Sequence, residues 1–191
     1  MSLLDIRVLG APILRQETNP VAAVTDDVRR LIADMFDTMY AARGIGLAAP
    51  QVGRLERVTV IDVARDRTPL QPIALINPEI VLQEGSVRGE EGCLSIPEVY
   101  GDVDRAARVV VRAVDADGRP FEIDGSDLLA RCLQHEIDHL HGKLFIDYLS
   151  ILKRRAALGK WEEQKAKYPA LIRTIVPASV IAGRHDDAEE P

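Results

Sequence analysis

Apolar residues recur at Val28, Leu31, Ile32, Met35 and Met39, the spacing that puts one face of a helix on a core. Thr25 stands where it can cap that helix, which is expected to stop near Gly44. A loop at 44–53 then leads to β-branched runs at 58–63 and 73–76, both strand-like. Asn77-Pro78 is expected to divide the second run from a short strand at 79–82. Residues 108–114 predict another strand, Asp115 to Gly118 its turn, and 121–123 the return. From Ser126 the helical period comes back: Leu128, Leu129, Cys132, Leu133, Ile137 and Leu140 mark a helix that Gly142 ends. A last helix is expected over about 149–167.

This order predicts an α+β domain, mostly antiparallel strands around a central helix with one helix before and one after. We expect a single catalytic domain over 1–170. The tail 171–191 is expected to be partly disordered, because its acidic end from Asp186 to Pro191 has nothing apolar to bury.

Composition narrows the function classes. A chain of 191 residues with 47% hydrophobic content can build one real core. Its formal charge of -6 argues against DNA or RNA as the default ligand, since phosphate neutralisation needs a basic face. No apolar run approaches the ~20 residues of a membrane span. Two cysteines, Cys93 and Cys132, are too few for a disulfide framework and suit a reducing compartment or a thiolate ligand. A cytoplasmic protein is expected, with an organellar origin left open.

The chemistry concentrates on the central helix. His135 and His139 are four residues apart, so they share a face about 6 Å apart along the axis, with Glu136 beside them. This is the H-E-x-x-H pattern of a metal-dependent hydrolase, which needs a third protein ligand and a position for water. Four candidates compete. A metzincin would carry a third histidine where Phe145 stands. Glu162 or Glu163 would make a zinc endopeptidase of the thermolysin type. Cys132 lies one turn before His135, but its short side chain leans toward the helix N-terminus. Cys93 is the best placed, in the shaped segment Glu91-Gly92-Cys93-Leu94-Ser95-Ile96-Pro97. The loop at Gly44 also matches a dinucleotide glycine pattern, but it follows a helix and Pro50 would disrupt a helix opening there. Small residues around Gln51 suit a backbone close to a small ligand, with an amide donor aimed at it.

Three segments, Gly44-Ile45-Gly46-Leu47-Ala48-Ala49-Pro50-Gln51, Glu91-Gly92-Cys93-Leu94-Ser95 and Gln134-His135-Glu136-Ile137-Asp138-His139, together resemble the three signature motifs of peptide deformylases in order and spacing. The resemblance runs from the N-terminal segment to roughly Leu152. It implies removal of the N-formyl group from the initiator methionine of nascent polypeptides, with formate released. It implies Cys93, His135 and His139 as metal ligands, one Fe(II) per chain replaceable by nickel, cobalt or zinc, and Glu136 as the catalytic acid and base. Gln51 and the Leu94 N–H would bind the formyl oxygen, and Gly46 the substrate backbone. Ile45, Leu128 and Cys132 would line the methionine pocket, with Gly44, Gly92 and Tyr100 also at the substrate cleft.

Three positions depart from the pattern. Arg43 replaces a frequent glutamate, Tyr100 a frequent arginine, and Arg131 a frequent apolar residue, so the cleft rim must be held differently. Seven Lys/Arg against two glutamates over 149–173 suggest a weak ribosome contact through the last helix, beside the plainer reading of a solvated face.

Overall fold

The computed structural model describes residues 2–64 and 72–176. In chain order its strands and α-helices are β1 (Ile6–Arg7), α1 (Asp26–Ala41), β2 (Gly46–Ala48), β3 (Val58–Ile61), β4 (Ile73–Glu84), β5 (Val87–Cys93), β6 (Ile96–Arg105), β7 (Arg108–Val114), β8 (Pro120–Ser126), α2 (Asp127–Leu140), α3 (Ile151–Gln164) and β9 (Ile172–Arg173). Strands β2-β3-β4-β7-β8 form one antiparallel sheet, β5 and β6 a separate hairpin, and β1 pairs with β9. Helices α1, α2 and α3 with these antiparallel sheets make the α+β class expected.

Helix α1 forms as its spacing predicts. The Thr25 hydroxyl caps it by accepting from Val28 N–H at 3.4 Å, and Asp26 and Asp27 favour the positive end of its dipole. Its buried residues, Val28, Leu31, Ile32, Met35 and Met39, pack with Val58, Val60 and Ile76 of the sheet. Helix α2 is buried on more than one face: Leu133 and Ile137 join the sheet residues Val109, Val111 and Leu75, while Gln134, Glu136 and His139 are buried polar residues. A third cluster holds α3 through Trp161 and Ala157 against Val99 and Val103 of β6.

Several local expectations need correction. The loop 44–53 contains β2 and a 3-10 turn, Ala49–Val52, in which Pro50 occupies an early position where its missing N–H costs nothing. Asn77 does not divide two strands. It is a bulge within β4 at φ 52°, and its amide bonds Val21 N and O at 2.8 Å each, substituting for a backbone pair. Strands β5 and β6 escaped the hydrophobic pattern because their faces carry charge, as in Arg88 with Asp104 at 3.0 Å. The last helix is shorter than expected, with Lys165–Lys167 a 3-10 turn after it. Of the tail, Ile172 and Arg173 pair with Arg7 and Ile6, and the acidic end lies outside the described residues.

Gly142 ends α2 at φ +68°, and a Cβ there would lie 2.7 Å from the Arg15 backbone carbonyl. Gly142→Ala should therefore lower stability by at least about 1 kcal/mol, from left-handed strain plus overlap, measured as a lower urea midpoint at unchanged slope.

Candidate metal centre

Helix α2 presents His135 and His139 with ring centroids 4.9 Å apart. The hairpin β5–β6 brings Cys93 to them: its Sγ lies 3.3 Å from His139 Nε2, and one ligand atom from each of Cys93, His135 and His139 lies within 4.8 Å of the others. The register jumps between Gly92 and Cys93, the bulged strand end expected of that segment. The competing third ligands do not reach the site. Glu162 and Glu163 are exposed on α3, Glu162 pairing with Lys165 at 3.2 Å. Phe145 is buried and stacks near His135, centroids 6.4 Å apart. Burial and the nearby Glu136 and Glu91 carboxylates push the Cys132 thiol well up, keeping it protonated, and its Sγ is 3.6 Å from the Ile45 carbonyl.

Behind the histidines lies a buried ion-pair network. His135 Nδ1 is 2.9 Å from Glu91 Oε2, and with that nitrogen donating to Glu91, a cation that displaces the Nε2 proton would find a lone pair there. Glu91 also accepts from Arg105 Nε at 2.9 Å and Nη2 at 3.0 Å, and from Arg131 Nη1 at 2.7 Å. Arg105 reaches on to Asp138 at 2.5 Å, which takes the Tyr148 hydroxyl at 2.9 Å, while the guanidinium sits 4.5 Å over the Tyr148 ring. Burial opposes ionisation of Glu91, but the bonds from His135 and Arg105 outweigh it and hold its carboxyl well below the usual range. Burial likewise opposes a charged His135, but Cys93 and Glu91 outweigh it and raise its pKa well above the ordinary value. The cluster therefore attracts positive charge, which fits a metal ion among Cys93, His135 and His139. His139 is held neutral by burial and by repulsion from His135 and Arg105.

Glu136 is buried, its Oε2 without a protein partner, and its pKa is raised to about 7 by burial, with Glu91 adding repulsion and His135 opposing. A Cβ on Gly46 would overlap the Glu136 carboxylate, so only glycine lets β2 run this close. Gln51 is fixed at both ends. Its Oε1 accepts from Ala48 N–H at 2.8 Å, which turns Nε2 toward Ser95 Oγ at 3.1 Å and Cys93 Sγ at 3.5 Å. One cleft takes in Gln51, Leu94 and Glu136 together with Gly44, Ile45, Gly46, Gly92, Tyr100, Leu128 and Cys132. His139 is not among its lining residues and sits beneath.

The three departures each find a place. Arg43 adopts φ 60° where α1 ends, its N–H bonded to Tyr40 O at 3.0 Å. Tyr100 is 62% exposed with its ring over Gly92, 2.7 Å from where a Cβ would sit. Arg131 gives its Nη2 to Val87 O at 2.8 Å and its Nη1 to Val103 O at 3.0 Å as well as to Glu91. The sequence assigned no role to Glu91, Arg105, Asp138 or Tyr148. Glu91 and Asp138 lie inside the motifs, and the rule that a metal-binding histidine gives its second N–H to a carboxylate could have pointed to Glu91. Arg105 had no local signal.

A family model described as polypeptide deformylase matches residues 3–155. A peptide deformylase of Alkalilimnicola ehrlichii is 56% identical over 163 residues, 85% of this chain and 91% of that relative. Among solved structures, a peptide deformylase from Legionella pneumophila has a TM-score of 0.80 at 49% identity, covering 88% of this chain and all of that one. One from Synechococcus elongatus, in complex with actinonin, has a TM-score of 0.79 at 46% identity, covering 82% and 86%.

Glu91→Gln should leave Arg105 and Arg131 under-compensated in a buried site and cost about 3–5 kcal/mol at neutral pH. Because the folded pKa of Glu91 is depressed, its contribution is complete above its unfolded value of about 4.3 and is lost as pH falls toward the folded one. Urea midpoints of the two proteins should therefore differ most near neutrality and converge below about pH 4. A gap that is constant across this range would remove Glu91 as its source.

Proposed function

This chain belongs to the polypeptide deformylase family, and we propose that Cys93, His135 and His139 are its metal ligands and Glu136 its general acid and base. The family's reaction is the chain's own: metal-dependent hydrolysis of the N-formyl group on the initiator methionine of nascent polypeptides, releasing formate. The observation that carries the residue roles is the convergence of one thiol and two imidazoles beside a buried carboxyl whose Oε2 has no protein partner.

When bound, the metal supplies a Lewis acid and lowers the pKa of water from ~16 toward neutrality. A Glu136 carboxyl titrating near 7 can both accept the proton of the attacking water and deliver it to the departing amine nitrogen as the C–N bond breaks. Gln51 Nε2, held by the Ala48 N–H, and the Leu94 N–H are the proposed donors to the formyl oxygen, each worth on the order of 3 kcal/mol as charge develops there. Gly46 offers backbone to the substrate main chain, and Ile45, Leu128 and Cys132 take the methionine side chain. Gly44, Gly92 and Tyr100 complete the cleft.

Fe(II) is the proposed metal, with nickel, cobalt or zinc as replacements, because thiolate and imidazole ligands suit all four. The proposed location is the cytoplasm, where the substrate is made. Among the described residues no helix is long and apolar enough to cross a membrane. Any ribosome contact through α3 is proposed to be weak, because Lys153, Arg154, Lys165 and Lys167 already pair with Asp102, Asp147, Glu162 and Glu98.

Formate release from a formyl-Met peptide by anaerobically prepared protein measures the activity. Glu136→Gln should lower its rate at least ~100-fold while metal content stays at one per chain, and Cys93→Ala should lose the metal itself. Peroxide should inactivate the iron form by oxidising metal or thiolate, whereas a nickel-substituted sample keeps its rate. Full metal and full rate in Cys93→Ala would sink the ligand set.

A further inference from the structure

Residues 94–97, the turn Leu94-Ser95 with the first two residues of β6, follow Cys93 directly and carry the Leu94 N–H. Three of their carbonyls are taken by chain remote in sequence. Leu94 O accepts from Arg173 Nη1 at 3.4 Å, Ser95 O from Leu9 N–H at 2.8 Å, and Pro97 O from Gln164 Nε2 at 2.5 Å. The Leu9 contact leads to the same place as the other two. Val8 N–H donates to Leu171 O at 3.0 Å, and Ile6 and Arg7 pair with Arg173 and Ile172. Gln164 is buried, and Tyr168 stacks on buried Trp161 with ring centroids 5.7 Å apart, so the segment is itself anchored. Both Tyr168 and Arg173 line the cleft. Gln164, Tyr168, Leu171, Ile172 and Arg173 lie beyond residue 155, where the match to the family model ends.

We infer that the segment from Gln164 to Arg173 is a positioning element of the active site, holding the 94–97 turn so that the Leu94 N–H keeps its aim at the substrate oxygen. Carbonyls at a hairpin turn have no ladder partner, so without this clamp they would turn to water and the turn would be free to rock. Turnover is sensitive to such motion, since a displacement of about 1 Å at reacting groups can cost on the order of 100-fold. Arg173 acts through Leu94 and is a positioning residue. The inference rests on the assignment of Leu94 as an oxygen-binding donor made above.

The test uses the full, metal-loaded chain carrying Arg173→Met, Arg173→Lys or Gln164→Leu. Arg173→Met should lower kcat on a formyl-Met peptide about 10-fold with KM, metal content and Tm little changed. Hydrogen exchange at the Leu94, Ser95 and Ile96 amides should quicken, and Arg173→Lys should restore part of both. Wild-type kcat with wild-type exchange in Arg173→Met, or a fall in kcat matched by metal loss, would overturn the inference. If Gln164→Leu also left exchange and kcat unchanged, the clamp would be excluded at its second point. Gln51→Ala separates the two readings, because Gln51 bonds neither Arg173 nor Gln164: an unchanged kcat there would count against the oxygen-binding site, while faster amide exchange in Arg173→Met would still support the clamp.

Discussion

The Glu91 carboxylate takes four hydrogen bonds, two from Arg105 and one each from Arg131 and His135, at a buried position. A lone carboxylate could not be buried there, since its desolvation would cost several kcal/mol and it would take a proton instead. Glu91 therefore requires both guanidinium groups, and Arg105 in turn needs it and Asp138. Because Glu91 sits on β5 and His135 on α2, this one group joins the two elements whose separation decides whether Cys93 can meet the histidines. The hairpin is not part of the five-stranded sheet, so no backbone ladder sets that distance.

The same burial sets the reactivity of Glu136. One residue along α2 from His135, its carboxyl has no guanidinium partner, and the close backbone at Gly46 keeps other side chains away. Two carboxyl groups in one site are thus driven apart, Glu91 down because its donors outweigh burial and Glu136 up to about 7 by burial, with repulsion from Glu91 adding to it. Such separation suits the division of labour proposed above, with the first as an anion that orients His135 and the second as the group that exchanges protons.

Period and capping carried α1, α2 and β7 in the sequence, where one apolar face meets one core. The hairpin β5–β6 was invisible to that criterion because charge pairs such as Arg88 with Asp104 replace an apolar face, and β4 looked broken because a backbone-mimicking side chain at Asn77 cannot be told from a turn. The motif residues of the site were legible because metal chemistry restricts both residue type and spacing. The network behind them was not, since Arg105 lies 14 positions from Glu91 and 33 from Asp138: the pairing of β5 with β6 brings Arg105 to Glu91, and only the docking of α2 against that hairpin adds Asp138.

The rim departures show how the site separates what must stay from what can vary. Arg131 sends its charge away from the ligand atoms, into the carbonyls of Val87 and Val103 and into Glu91, so a charge replaces apolar packing as the fastening between α2 and the hairpin. A Cβ at Gly89 would come within 2.9 Å of that guanidinium, so a side chain there would push Arg131 aside. Tyr100 lies over Gly92 on the same logic, a large side chain seated where the opposite strand has none. Both contacts lie between β5 and its immediate neighbours, and Cys93, His135 and His139 stay within reach of one another. The cleft wall is thus fastened by contacts local to β5, while the buried charges behind it tie the strand of Cys93 to the helix of His135 and His139.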